Sequence, residues 1–531
     1  MSDEVAHLPA WVRRRDGSQV PFDADHICQA LFAAASSLGA ASAFVNRELT
    51  DVVLHFLAQE AWPTVPTAGE ISDLVEKIVR EVGHPELARR YAQMQAAASE
   101  SATKEDPGLT KATPIGRYLA NCLESYAHQI VYSPDVSAAA REGLVRLGGM
   151  DAPAALASLV LETLKLAELP WWLALEDWRA LGGTSWLVDS PDWVCTVQRH
   201  PALTPHLCDT LLALPTLAQR CVELHLNVSE PPVWSRGYPA RPLFAADDED
   251  AAQQERSSFL DIFLERWKAL QAPRIPAVAW HLHPDAFNAE TSRRRLLGLI
   301  RLALQGKPVR FVFDRAPPPI ALAEGFDRKC PGLLLEVGLD LPALMRCAPA
   351  VGDGSALLKS LPGLARIAAS AAQQKRRYLR DLPADAAVKR SFVLERSSAL
   401  VVPIGLDEVV QRITGASLWR SPLSLDFARQ ILQTLKKTLC QSGRAAQLDL
   451  RMACPGECPT HSDRELPPRR QLEIAGKLHT CVDGGMMNLE LPDSDPDAIA
   501  ELLEWAWSST QVAYVQLQRA GIALRQGELP I

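Results

Sequence analysis

The sequence has no uncharged apolar run near the roughly 18 to 20 residues that a membrane-crossing helix needs. Its most apolar stretch, Leu159 to Leu175, is broken by Glu162, Lys165 and Glu168, so a membrane protein is not expected. The N-terminal residues place acid before base and lack an apolar core segment; no secretory signal is expected, and a cytoplasmic location is the default. Basic charge is in deficit, because 55 Lys and Arg against 63 Asp and Glu leave a net charge of −8. That balance offers no broad surface to a phosphate backbone and argues against nucleic acid as a partner. There is no C-x2-C pair, and the 11 cysteines, an odd number scattered mostly singly, read as reduced thiols rather than a disulfide framework. No repeat of fixed period occurs, and the 29 glycines and 39 prolines follow no period, which excludes solenoid and collagen-like classes.

What is present is an ordinary globular composition, 47% hydrophobic and 22% charged, over 531 residues, enough for two to four domains. Residues 10–96 form a self-contained pattern. Val12 to Phe22 is extended with a turn at Asp16-Gly17, and helical periodicity follows over Asp25 to Leu38 and Val45 to Gln59. A third helix starts after Pro66-Thr67, where Thr67 and Glu70 make a T-x-x-E capping box ahead of Ile71, Leu74, Val75 and Ile78; a fourth begins near Pro85. The polar stretch over 97–110 is the best linker, leaving 111–531 as a second unit. There, helical segments are expected at 114–131, 151–168, 205–224, 255–270, 291–304, 355–380, 424–441 and 496–520. Between them stand the short apolar runs AVAWHL, VRFVFD, LLLEVGL, ALVVPIGL, QLDLRMA and MMNLEL. Alternation of this kind predicts an α/β fold, a largely parallel sheet or barrel wrapped by helices.

V-R-R-R-D-G at Val12 to Gly17, P-F-D-A-D-H-I at Pro21 to Ile27, the segment from Pro66 to Glu76, and H-P-E-L-A-R-R-Y at His84 to Tyr91 together resemble an ATP-cone. This is the nucleotide-sensing domain of ribonucleotide reductases and their repressor. The resemblance implies ATP or dATP as an allosteric ligand, contacted by Val12, Arg14, Arg15, Asp23, His26, Ile27 and Thr67. Guanidinium forks on a tight turn suit triphosphate oxygens, and a nearby hydroxyl or carboxylate can orient ribose or base. His26 stands where the family usually has Lys, and a neutral imidazole offers phosphate less charge.

The remainder is similar to the anaerobic, class III glycyl-radical ribonucleotide reductases. The segments that carry this are Tyr126 to Gly143, Val337 to Leu344 with the later K-R-R-Y at Lys375 to Tyr378, I-G-L-D-E-V-V-Q-R-I-T-G at Ile404 to Gly415, Asp449 to Cys458, and Gly476 to Pro492. The resemblance implies a ten-stranded α/β barrel of the glycyl-radical type. It also marks departures: the family's His before x-x-G falls on Ala140, and no four-cysteine zinc module with its radical glycine is found before Ile531. The loop carrying Cys330 runs almost directly into the next strand. The catalytic candidates are Cys330 as the thiyl residue, and Glu457 and Cys458 where the family has P-A-E-S.

Cys454, Cys458, His461, His479 and Cys481 could gather as a Cys/His group, but C-x3-C with H-x-C matches no strong zinc spacing and no metal is expected. His281 and His283 alternate along AVAWHLHP, which suits a mouth-lining feature more than a ligand pair. Trp171, Trp172 and Trp178 read as packing aromatics, and Asp483-Gly484-Gly485 as a turn. The expected function is a nucleotide-responsive, non-catalytic relative of the reductase, with a homo-oligomer or a reductase or activase as possible partner. The alternative is a catalytic subunit whose glycyl radical comes from another polypeptide.

Overall fold

The computed structural model describes residues 8–13, 19–39, 42–60, 62, 65–97, 122–162, 182–189, 204–218, 221–227, 249–270, 275–313, 332–347, 354–386, 388–389, 393–454, 466–491 and 495–519. The chain starts with a short antiparallel pair, β1 (Trp11–Arg13) and β2 (Gln19–Pro21), in which Val12 faces Val20. Four helices follow, α1 (Ala24–Ser37), α2 (Ala43–Gln59), α3 (Ala68–Glu81) and α4 (Pro85–Ala97). Apolar residues at helical spacing define their inner faces. Ile71, Val75, Ile78 and Val79 of α3 meet Ile27 and Leu31 of α1 and Leu49, Val53 and Leu57 of α2 in one separate core. The capping box expected at Thr67 and Glu70 is formed in both directions.

Beyond this unit come α5 (Pro134–Arg141), β3 (Val145–Leu147), β4 (Leu156–Glu162), β5 (Gly182–Asp189), α6 (Thr204–Ala218), β6 (Cys221–Asn227), α7 (Glu249–Ala269) and β7 (Ala277–Leu282). Next are α8 (Pro284–Asn288), α9 (Glu290–Leu304), β8 (Val309–Phe313), β9 (Gly332–Asp340), α10 (Leu341–Cys347), α11 (Gly354–Asp381) and β10 (Ser398–Ile404). The last are α12 (Leu406–Thr414), α13 (Pro422–Ala446), β11 (Asp449–Cys454), α14 (Pro468–His479), β12 (Gly484–Leu491), α15 (Pro496–Ser509) and β13 (Tyr514–Arg519).

Strand pairing runs in a ring. From β4 to β8 every neighbour is parallel, and so is every neighbour from β9 to β13. The two halves meet antiparallel at two seams, β8 with β13 (Val312 facing Tyr514) and β4 with β9 (Ser158 facing Leu333). Of the 11 strands in this sheet only β3 stands outside the ring, as an antiparallel addition to the end of β9. The expected ten-stranded α/β architecture is therefore present, and closure leaves no exposed edge on the ring. Helices cover the outside. Among the described residues no helix is long and apolar enough to cross a membrane.

The six apolar runs became β7 to β12. Three helical expectations need correction: residues 151–168 contain strand β4, the helix expected over 205–224 ends at Ala218 before β6, and that over 496–520 ends at Ser509 before β13. Leu and Ala, strong helix formers, disguise L-A-S-L-V-L-E, where pairing on both sides overrides local preference. β6 and β13 betray themselves by period two instead. In C-V-E-L-H-L-N, Val222, Leu224 and Leu226 join the main core under the helices, while Glu223 and His225 face the other way. In Y-V-Q-L-Q-R, Val515 and Leu517 do the same, leaving Tyr514 and Gln516 opposite. The first part of the helix expected at 114–131 lies outside the described residues, as do Trp171, Trp172 and Trp178 and all of the expected linker 97–110 except Ala97, which ends α4.

One residue of α11 titrates unusually. Lys375 is buried against the barrel wall with its Nζ donating to the carbonyl of Pro153, and burial lowers its pKa from 10.5 to about 7. Between those two values the unfolded chain holds a proton that the folded chain lacks, so this group makes stability rise with pH from about 7 to 10.5. Lys375→Met should flatten that rise, by up to about 1.4 kcal/mol per pH unit. Urea midpoints of the two proteins across this window check it.

Candidate nucleotide site and barrel interior

Two helix N-termini flank the β1–β2 hairpin. Asp23 caps α1, its Oδ1 accepting from the Asp25 N–H at 3.0 Å, and the hairpin is tied to this start by the Phe22 N–H donating to the Ala10 carbonyl. On the other side, Arg13 bridges to Thr67, and its N–H donates to the Pro66 carbonyl at 2.9 Å. Thr67 caps α3: its hydroxyl accepts from the Glu70 N–H and donates to the Glu70 carboxylate, while its own N–H donates to that carboxylate at 2.7 Å. Those donors hold the Glu70 carboxyl below its usual range. Helix N-termini present open N–H groups and partial positive charge, the arrangement that suits phosphate.

Of the residues singled out from the sequence, Asp23 stands at the cap and His26 on the first turn of α1, with His26 Nδ1 3.6 Å from Asp23 Oδ2. Thr67 stands at the start of α3, and Val12 lies on the hairpin between them. Ile27 points into the unit's core, with Val12 packed against the same cluster. Arg14 and Arg15 lie outside the described residues.

Sequence reading missed how this unit is held. Arg47 of α2 is buried between Asp25 (3.1 Å) and Asp135 of α5 (2.7 Å). Asp135 also accepts from the Cys28 thiol at 3.3 Å and from the Ser133 hydroxyl at 2.5 Å. Gln374 of α11 donates to the Ser133 hydroxyl and, at 2.9 Å, to Ser370, whose own hydroxyl donates to Asp25 at 2.6 Å. Further along α11, Arg366 pairs with Asp51 and Arg377 with Asp23 at 3.1 Å. Gly363 belongs to the same row, since a Cβ there would stand 2.6 Å from Glu48 Oε1. Residues 363, 366, 370, 374 and 377 thus form one helical stripe, about 21 Å long at 1.5 Å per residue. Apolar anchors accompany it: Phe32, Ala43 and Phe44 of the small unit are part of the main core. Burial pushes the Cys28 thiol up to about 12, against the opposing pull of Arg47.

Inside the ring, at the β8–β13 seam, Arg310 pairs with Glu223, and the Tyr514 hydroxyl donates to the same carboxylate. Arg310 Nε donates to Gln516 at 3.2 Å. His225 and His281 share a 2.9 Å ring-to-ring hydrogen bond, with His225 Nε2 3.6 Å from Glu223. Burial raises the Tyr514 hydroxyl pKa well above its ordinary value. Tyr514 also packs with Ala279, Val312 and Met486 in a cluster distinct from the main core. His281 therefore finds its partner on β6, not in His283. Cys330, Glu457, Cys458 and His461 lie outside the described residues. His479 Nδ1 accepts from the Ala513 N–H at 3.1 Å, and Cys454 and Cys481 are buried. Among the described residues no group of three His, Cys, Asp or Glu side chains is placed to hold a metal ion.

Removing Asp135 deprives the buried Arg47 of one of its two carboxylates and the Cys28 thiol of its acceptor. Asp135→Ala should cost about 3 kcal/mol, the lower end for breaking a buried pair. In the native parent protein Cys28 should resist alkylation at pH 8 while exposed Cys440 reacts. In Asp135→Ala, Cys28 should become reactive as the contact loosens, with mass spectrometry as the readout.

Comparison with known proteins follows the same division. Residues 11–99 match the ATP cone domain model. No curated protein matches the chain. Among solved structures, the chain is similar to the anaerobic ribonucleotide reductase from Thermotoga maritima in complex with dATP and CTP. That match has a TM-score of 0.56 at 10% identity and covers 76% of this chain and 81% of that one. The same reductase with dATP bound in the specificity site matches at a TM-score of 0.54 and 10% identity, over 94% of this chain and 92% of that one. A further anaerobic ribonucleotide reductase matches at 0.54 and 9%, over 95% and 90%. The chain thus carries an ATP-cone domain at residues 11–99, joined to an α/β barrel with the fold of the anaerobic ribonucleotide reductases.

Proposed function

We propose that this chain binds ATP or dATP in its cone, through Val12, Arg14, Arg15, Asp23, His26, Ile27 and Thr67, and acts as a nucleotide-responsive protein whose barrel does not itself reduce ribonucleotides. In this reading the cone spans 10–96, a connecting segment 97–110 and the barrel unit 111–531. One observation carries it: the helix whose first turn holds Asp23 and His26 also holds Asp25, which is wired through Arg47 and Ser370 to α5 and α11. A cone serving only to capture nucleotide has no need of a buried connection to the barrel, whereas one that reports occupancy does. The non-catalytic part is supported by Ala140 on α5, where the reductases it resembles have His, and by an interior seam occupied by Arg310, Glu223, Tyr514 and Met486.

The second reading, a catalytic ribonucleoside-triphosphate reductase subunit with its radical supplied by a partner polypeptide, draws on the buried titratable groups Glu223, His225 and His281 in that interior. Cys330, Glu457 and Cys458 would then be its reacting residues.

Calorimetry on the full chain should show heat with ATP or dATP, and Arg14→Ala with Arg15→Ala should abolish it by removing charge-assisted phosphate contacts. Absence of any heat in the parent protein would sink the nucleotide reading. Given ribonucleoside triphosphates, a reductant and a radical-generating activase, the chain should form no deoxynucleotide and no glycyl-radical EPR signal. Product formation would instead establish the catalytic alternative.

A further inference from the structure

The cone's nucleotide site does not end at the cone. Asp23 Oδ1 is committed to capping α1, and its Oδ2 meets two cationic side chains from different units: His26 at 3.6 Å and Arg377 of the barrel helix α11 at 3.1 Å. Among the described residues, Asp23 is the one polar partner of the Arg377 guanidinium, which engages it through Nη2 alone. The Arg377 side chain is 61% exposed, so its remaining N–H groups face solvent beside the first turn of α1. An isolated exposed ion pair of this kind contributes little to stability, on the order of 0–1 kcal/mol. The docking of the cone is already secured by the buried Arg47 pairs and by Phe44. Stability therefore does not account for an arginine at this point.

Charge does. A triphosphate approaching the starts of α1 and α3 meets two carboxylates, Asp23 and Glu70, before it meets open N–H groups. The Glu70 carboxylate is already engaged by the Thr67 N–H and hydroxyl, with a smaller favourable contribution from Arg13. Among the described residues of its own unit, Asp23 has only an exposed imidazole beside it, and the Arg377 guanidinium both offsets its charge and presents a planar fork of donors to phosphate oxygens.

We propose that Arg377, a residue of the barrel, belongs to the nucleotide site of the cone, where it contributes a phosphate-directed guanidinium that ties occupancy of the cone to helix α11. The proposal rests on the reading that the cone binds an adenine nucleoside triphosphate. It gives the polar stripe of α11 a direction. Arg366 at one end is a docking contact to Asp51, and Arg377, about 16 Å further along the helix, is a ligand contact.

The test is calorimetric titration of ATP into the full-length parent chain and the variants Arg377→Ala, Arg377→Lys and Arg366→Ala. Loss of a charge-assisted contact should weaken ATP binding roughly 10- to 100-fold in Arg377→Ala. Arg377→Lys, which keeps the charge and loses the fork, should fall in between, and Arg366→Ala should stay within about two-fold of the parent, the size expected of an exposed ion pair without ligand contact. An Arg377→Ala affinity equal to that of the parent overturns the proposal. So does an equal loss in Arg377→Ala and Arg366→Ala, which would make both residues docking contacts only. A parent chain that binds no ATP fails the underlying nucleotide reading instead, and is told apart because the parent itself gives no heat.

Discussion

One guanidinium, that of Arg47, stands between a carboxylate of the cone and a carboxylate of the barrel, and the arrangement of the two units follows from it. An arginine this deeply buried must be matched on more than one side, because its desolvation is costly and only good geometry offsets it. Asp25 and Asp135 supply that match, and each is held in turn by hydroxyls: Ser370 for Asp25, Ser133 for Asp135. With Gln374 linking the two serines, both carboxylates and both hydroxyls are paired in the observed docking, and a shift of the cone would break these bonds. The apolar anchors Phe32, Ala43 and Phe44 contribute area, which is not directional; the network chooses the angle.

Helix α11 turns that docking into a connection. Its inner face, with Leu361, Leu364, Ile367, Ala368 and Ala371, lies in the main core beside β9, and its outer stripe meets α1 and α2. A helix packed so densely on one face is a rigid element, so the contact at Asp23 reaches the strand wall through a packed helix rather than a flexible tether. Lys375 and Arg376 pin the same helix from below, one on the Pro153 carbonyl and the other on the Ala446 and Gln447 carbonyls that end α13.

The barrel shows how closure redistributes polarity. Parallel strands covered by helices on the outside put Val, Leu and Phe there, while the inner face of the ring carries polar side chains. Around the β8–β13 seam the inner positions carry Arg310 of β8, Tyr514 and Gln516 of β13 and, two strands away, Glu223 of β6; Arg310 bonds Gln516 and Tyr514 bonds Glu223 across the antiparallel junction. The Arg310–Gln516 and Tyr514–Glu223 bonds cross this junction in the observed register, Gln516 opposite Arg310 and Tyr514 opposite Val312. A slip of one residue would turn these side chains into the helix layer.

The sequence by itself determined the cone almost completely. Its helices are fixed by local signals, the apolar spacing of Ile71, Val75 and Ile78, the Thr67–Glu70 box and the Pro85 start, all of which act within a few residues. Strands β7 to β12 were legible for the same reason, as short apolar runs closed by Gly, Pro or charge. Strand β4 was not, because its identity depends on neighbours: L-A-S-L-V-L-E becomes a strand only when β5 and β9 pair with it; β6 and β13 carry a period-two signal at the end of stretches that read as helix, and the polar half of Y-V-Q-L-Q-R makes sense only inside a ring. In the candidate site, the motif located Asp23, His26 and Thr67 but could say nothing of Arg377, which is 354 positions from Asp23. Nor could it foresee Arg47 and Asp135, separated by 88 positions and drawn together by burial. Local hydrogen bonding and side-chain periodicity are written along the chain. The pairing of distant charges is decided by which surfaces the folded units present to each other, and only the tertiary structure contains that choice.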